Sequence, residues 1–136
     1  MTQGIVVAGL AGGSGKSVVS VGLTAALARE GRVVVPFKKG PDYIDAGWLK
    51  LAAGRSCYNL DPYLMSVESI RQSFLEHSAG ADVAILEGNR GLFDGVNPEG
   101  GYSTAELSLI LNLPVLLVVN CTKTTRTVAA MVLGCQ

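Results

Sequence analysis

Gly9-Leu-Ala-Gly-Gly-Ser-Gly-Lys-Ser17 lies between an apolar run, Ile5 to Ala8, and a stretch from Val18 to Glu30 in which apolar residues recur at helical spacing. Strand, glycine-rich turn and helix in that order are the context of a phosphate-binding loop. Gly12, Gly13 and Gly15 allow backbone conformations closed to other residues. They bring successive N–H groups against phosphate oxygens at a helix N-terminus whose dipole favours anions. In such a loop Lys16 reaches the β- and γ-phosphates and the Ser17 hydroxyl holds Mg2+. The strict pattern places a glycine five residues before Gly15, where this chain has Leu10, so the loop is one residue longer and starts at Gly9. A nucleoside triphosphate is the expected ligand.

Outward from the loop, Val18, Val21, Leu23, Ala26 and Leu27 are expected to form the core-facing side of the first helix, which Gly31 ends. Arg32 to Phe37 reads as a strand, its continuous valines suiting one covered on both faces. A loop from Lys38 to Gly47, a short helix to Ala53 and an irregular turn through Asn59-Leu-Asp-Pro62 follow. Ser66 caps a helix to about His77, Gly80 stops it, and Val83 to Glu87 forms the next strand. Gly88 to Tyr102 is glycine-rich, Ser103-Thr-Ala-Glu106 is a capping box for a helix ending near Asn112, Pro114 to Asn120 is a fourth strand, and a last helix spans Thr125 to Leu133. This alternation predicts an α/β fold, a doubly wound and mostly parallel sheet of the P-loop NTPase type flanked by helices, with ligands at the carboxyl ends of the strands.

The 136 residues suffice for one domain with a real core. Only 16% are charged, against about 25% in ordinary soluble domains, while 49% are hydrophobic. That balance implies apolar surface covered by a partner or by further chain, so a homodimer or higher oligomer is expected. Eleven basic and eleven acidic residues give zero formal net charge, without the basic stripe interleaved with aromatics that nucleic acid requires. No apolar run is long enough to span a membrane, and the expected setting is the cytoplasm. Cys57, Cys121 and Cys135 lack metal-ligand spacing and are read as reduced.

Further chemistry is carried by two patches. Glu87 ends an apolar strand, where a second carboxylate near the nucleotide's Mg2+ belongs, although a strand-end acid in a turn reads the same way. Asp94, seven residues on, can stand near the same metal or near substrate, or be a turn former. In Pro36-Phe-Lys-Lys-Gly-Pro-Asp-Tyr-Ile-Asp45, Lys38 and Lys39 sit at the carboxyl end of the second strand, where an anionic ligand would relieve their mutual repulsion. Asp42 and Asp45 can hold metal or orient substrate or ammonia, and are equally good loop residues. His77 reads as an exposed helix-end residue, Trp48 as a packing residue and Arg126 as a solvated one.

Taken together, the lengthened loop, the stretch from Pro36 to Asp45, Asn59-Leu-Asp61, Glu87-Gly with Gly91-Leu-Phe-Asp-Gly95, and Ser103-Thr-Ala-Glu106 resemble the ATP-binding synthetase domain of the cobyrinic acid a,c-diamide synthase family, in the dethiobiotin synthetase-like group of phosphate-loop proteins. Septum-site and partition ATPases share the broader fold, but their loop has a second lysine where this chain has Ala11. The resemblance implies ATP-dependent amidation of the a and c carboxylates of a corrin-type tetrapyrrole polycarboxylate through an acyl phosphate. ATP is implied on Gly12, Gly13, Ser14, Gly15, Lys16, Ser17 and Val18, and Mg2+ on Ser17 and Glu87. Lys16, Lys38 and Glu87 would serve the phosphoryl transfer, with Asp42, Asp45 and Asp94 in the substrate and acyl-phosphate region.

Family members continue through further synthetase strands into a glutaminase domain that supplies ammonia. The resemblance therefore implies that residues 1–136 are a partial synthetase domain, truncated at the C-terminus. With no histidine after Cys121 or Cys135, and Cys57 in no recognisable nucleophile turn, glutamine hydrolysis is not expected here. Two other readings compete: a self-associating ATP-binding module without turnover of its own, and carboxylation of a diamine, which leaves the Pro-Asp-Tyr-Ile-Asp stretch unused.

Overall fold

The structure is a computed structural model, and it describes residues 3–136. Five strands and five helices alternate: β1 Gln3–Gly9, α1 Lys16–Arg29, β2 Val34–Lys39, α2 Ile44–Ala53, β3 Tyr58–Leu60, α3 Val67–Ser78, β4 Val83–Glu87, α4 Thr104–Leu111, β5 Val115–Val118 and α5 Thr127–Leu133. All strand pairs are parallel, in the order β3-β2-β4-β1-β5. Between β1 and β2 the chain passes over the place that β4 later fills, so the ends of these three strands converge on one crevice.

Strand alternation sorts side chains onto two layers. Val6, Val35, Phe37, Ala84 and Leu86 pack with Ile70 and Phe74 of α3 and Leu107 of α4. Val7, Val34 and Ile85 face the other way, against Val19, Leu23 and Leu27 of α1. The same period carries past the core. Lys38 and Glu87, paired in register, fall on the α1 face, while Lys39 continues the row of Val35 and Phe37 towards α3 and α4.

Several boundaries differ from the sequence reading. The second strand starts two residues later and runs on to Lys39, so both lysines lie in the sheet rather than in a loop. The stretch read as an irregular turn contains β3, three residues that pair with Phe37–Lys39 of β2; a strand so short carries no periodic signal. Helix α1 begins at Lys16. Its buried residues are Lys16, Ser20 and Thr24, and of the expected apolar face Leu23 and Leu27 pack on the core, whereas Val18 is 79% exposed and Ala26 is exposed, which corrects those two positions. Small hydroxyl residues let this helix approach the sheet closely while Lys16 turns inward. His77 is half-buried and stacks on Tyr58 with ring centroids 3.6 Å apart; Trp48 is 58% exposed, on the wall of an open cleft rather than in the core.

Candidate active site

The loop from Gly9 to Ser17 turns through two glycines in the left-handed region, Gly13 at φ 72° and Gly15 at φ 96°, which no side chain would adopt without strain. A Cβ on Gly9 would collide with the Ser14 hydroxyl, whereas one on Gly12 or Gly13 would meet nothing within 4 Å. The crown of the loop is thus open to a ligand, and its base is closed. Leu92 N–H donates to Gly9 O at 2.7 Å, tying the base to the glycine-rich segment after β4. Lys16 Nζ folds over the loop and donates to Ala11 O at 3.0 Å. Its pKa is held below the usual lysine value by burial first and the Lys38 charge second, against Glu87, Asp45 and Asp94, which raise it.

Beside the loop, Glu87 is fully buried at the end of β4. Its Oε1 accepts from Ser17 Oγ at 2.7 Å and from Lys38 Nζ at 3.0 Å. The Lys38 ammonium also donates to Gly88 O at 2.9 Å, lies 3.2 Å from Asp45 Oδ2 and is 3.9 Å from Asp42 Oδ2. Asp42 Oδ1 accepts from the Asp45 N–H at 3.0 Å, which folds the chain into α2 and turns both carboxylates towards Lys38. Ser17 Oγ lies 3.5 Å from Asp45 Oδ2. One ammonium, three carboxylates and one hydroxyl therefore meet where β2, β4 and the loop end.

Asp94 stands apart from this cluster. Its Oδ2 accepts from Gly91 N–H at 2.9 Å, and it acts on Lys16 only through its charge. Asn59 was quoted in the sequence only as part of a shared stretch, yet it holds the Lys38–Asp45 segment in place. From β3 its side-chain amide donates to Gly40 O at 2.5 Å and to Asp42 O at 3.0 Å. Thr104 was likewise quoted only within Ser103-Thr-Ala-Glu106, with no role of its own. It exchanges hydrogen bonds with the main chain of Asn89 and packs so closely on Gly88 that a Cβ there would meet it at 2.5 Å. Lys38 and Lys39 do not share one ligand position, because strand alternation sends them to opposite faces.

The donor set suits a hard divalent cation. Glu87 Oε2 is buried without a hydrogen-bond partner, next to the Ser17 hydroxyl and Asp45. Among the described residues no group of three or more His, Cys, Asp or Glu could hold a metal.

The family described as the CobQ/CobB/MinD/ParA nucleotide binding domain matches residues 5–134. The chain belongs to this family. Within it, the chain is 57% identical over 121 residues to a cobyrinate a,c-diamide synthase of Magnetococcus marinus, covering 89% of this chain and 26% of that protein. It is 47% identical over 131 residues to the cobyrinate a,c-diamide synthase of Syntrophotalea carbinolica, covering 96% and 28%. It is 45% identical over 133 residues to the hydrogenobyrinate a,c-diamide synthase of Brucella ovis, covering 97% and 30%. The chain thus spans under a third of the length of these curated relatives. Membership of a nucleotide-binding family accounts for the open loop crown, and no described helix is long and apolar enough to cross a membrane.

Proposed function

We propose that this chain binds ATP with Mg2+ and transfers the terminal phosphoryl group to a side-chain carboxylate of a corrin-type tetrapyrrole, the acyl phosphate then being amidated by ammonia. The observation that carries this reading is the buried Lys38 ammonium, on which Glu87, Asp45 and Asp42 converge beside the phosphate loop. The names of the relatives, diamide synthases of cobyrinate and hydrogenobyrinate, support the substrate class.

A carboxylate is a poor electrophile with a poor leaving group, and phosphorylation removes both obstacles. A carboxylate oxygen attacks the γ-phosphorus, the bond to the bridging oxygen breaks, and ADP leaves with that electron pair. Ammonia then adds to the acyl carbon, phosphate leaves, and nitrogen loses a proton to give the amide. The protein's task is to bring two anions together and offset their repulsion. Lys16 serves the β- and γ-phosphates, and Lys38 faces the position between phosphate and substrate. Ser17 and Glu87 would hold Mg2+, which when bound would neutralise charge on the phosphate oxygens. Asp42, Asp45 and Asp94 belong to the substrate and acyl-phosphate region. The ammonia source is a glutaminase domain, and the setting is the cytoplasm.

The test is to incubate the chain with ATP, Mg2+, ammonium chloride and cobyrinate labelled with 18O in its carboxylates. ADP release should depend on cobyrinate, and label should pass into phosphate as amide forms. Cobyrinate-independent ATP cleavage, or amide without labelled phosphate, overturns the reading. The partly exposed apolar side chains of β5, Val115 and Leu116, favour a second reading: a self-associating module that binds Mg·ATP and releases no ADP in this assay.

A further inference from the structure

On the α3 and α4 side of the strand ends, across the sheet from Lys38, a cleft of about 400 Å3 is lined by Lys39, Asn89, Arg90, Asp61 and Asp94 among others. Lys39 is only 8% exposed, yet among the described residues its ammonium has no hydrogen bond and no carboxylate within 4 Å. Among the described residues the fully buried side-chain oxygens or nitrogens without a hydrogen-bond partner are Thr24 Oγ1 and Glu87 Oε2, so the unpaired Lys39 ammonium is not sealed off but opens into the cleft, where a ligand can reach it. The charges facing it are Asp61 and Glu106, which favour its protonated form, and Arg90 and Lys38, which oppose it; burial outweighs them and lowers its pKa. Arg90 reaches the cleft from a backbone in the left-handed region, φ 51°, where a non-glycine residue is strained. Its N–H donates to the Asn89 side chain at 3.0 Å, holding that turn.

We propose that this cleft is a carboxylate-binding subsite, in which Lys39 and Arg90 grip a second, non-reacting carboxylate of the same polycarboxylate substrate. The inference rests on the tetrapyrrole reading above and deepens it. β2 then presents consecutive lysines to two carboxylates of one ligand, Lys38 to the carboxylate being activated and Lys39 to an anchor. The anchor fixes the rotation of the macrocycle and hence which side chain reaches the loop. Asp61 and Asp94 line the same cleft and offset part of the positive charge of Lys39 and Arg90.

The test is equilibrium titration of the chain with cobyrinate and, separately, with Mg·ATP, for wild type, Lys39→Met and Lys39→Arg, each also melted thermally. Loss of a charge-assisted hydrogen bond should weaken cobyrinate binding about 10–100-fold in Lys39→Met. Mg·ATP affinity should be unchanged, Lys39→Arg should restore most of the loss, and Tm should not fall, because the deleted charge has no partner in the free protein. Wild-type cobyrinate affinity in Lys39→Met overturns the subsite and leaves the proposed function standing. Loss of both ligands with a lowered Tm shows a structural lysine and overturns it too. A wild-type chain that binds Mg·ATP but not cobyrinate overturns the substrate reading, and the subsite with it.

Discussion

At the scale of single residues, the site is governed by how buried charges are matched. Glu87 and Lys38 are both fully buried and share Oε1 with Ser17. Removing one partner of such a pair leaves the other uncompensated, so Glu87→Gln and Lys38→Met should each cost about 3 kcal/mol of stability. The double variant should cost less than the two singles together by more than about 1 kcal/mol. Denaturant melts of the three variants check this, and simple additivity would show that the pair is not coupled. Cys57 offers a pH test. Burial first, then the negative charges of Glu87 and Asp42, push its thiol up to about 12, with Lys38 opposing. In the folded chain it stays protonated while the unfolded thiol, at its ordinary value of 9.0, ionises. The unfolded state then holds fewer protons, so this group's contribution to stability falls between pH 9 and 12. Cys57→Ala should flatten that part of the pH–stability curve, and at pH 8 iodoacetamide should label exposed Cys121 well before Cys57.

At the scale of elements, what was legible in the sequence followed the strength of the local signal. The loop and its flanking strand and helix were readable because glycines, lysine and hydrophobic run all point to one geometry. The caps were readable for the same reason: Ser66 Oγ accepts from Ser69 N–H at 3.1 Å, and Ser103 Oγ from Glu106 N–H at 3.3 Å. In the second cap Glu106 reaches back to the N–H of Tyr102, one residue before the cap itself. Strand β3 was not legible, since three residues among turn formers become a strand only when β2 is there to pair with. With it went the role of Asn59, and the divergence of Lys38 and Lys39 depended on knowing that β2 runs to its end at Lys39. Asn59 therefore gives the test at this scale. Asn59→Ala removes two bonds to main-chain carbonyls of the segment that carries Asp42, and should cost about 1–2 kcal/mol. If β3 positions the site, substrate-dependent ATP cleavage should fall further than stability accounts for, with Mg·ATP affinity kept. A loss of stability with full activity would mean that the segment is held from elsewhere.

At the scale of the whole molecule, the two faces of the sheet are unequally covered at one edge. Both ends of the sheet are edge strands: β3 is only three residues long, whereas β5 is Val115-Leu-Leu-Val118, in which the first two residues are about one-third exposed, and α5 buries none of its residues. An apolar parallel edge pairs readily with another chain, and neither charge nor proline blunts this one between Val115 and Val118. The low charged fraction of the sequence points the same way. We therefore expect the 136-residue chain to self-associate, with a mass by light scattering of at least twice the monomer that falls towards the monomer on dilution. Leu116→Lys places a charge on that edge and should shift the equilibrium to monomer. Because Leu116 pairs with Val7 in β1, just before the phosphate loop, Mg·ATP affinity has to be followed in the same samples. Monomer formation with nucleotide affinity kept would assign the contact to the β5 edge and show that one chain completes its own nucleotide site. Monomer formation with affinity lost, while the circular dichroism spectrum is unchanged, would mean that a second copy is needed to complete it. A wild-type chain that is monomeric at every concentration would remove the self-associating module from consideration.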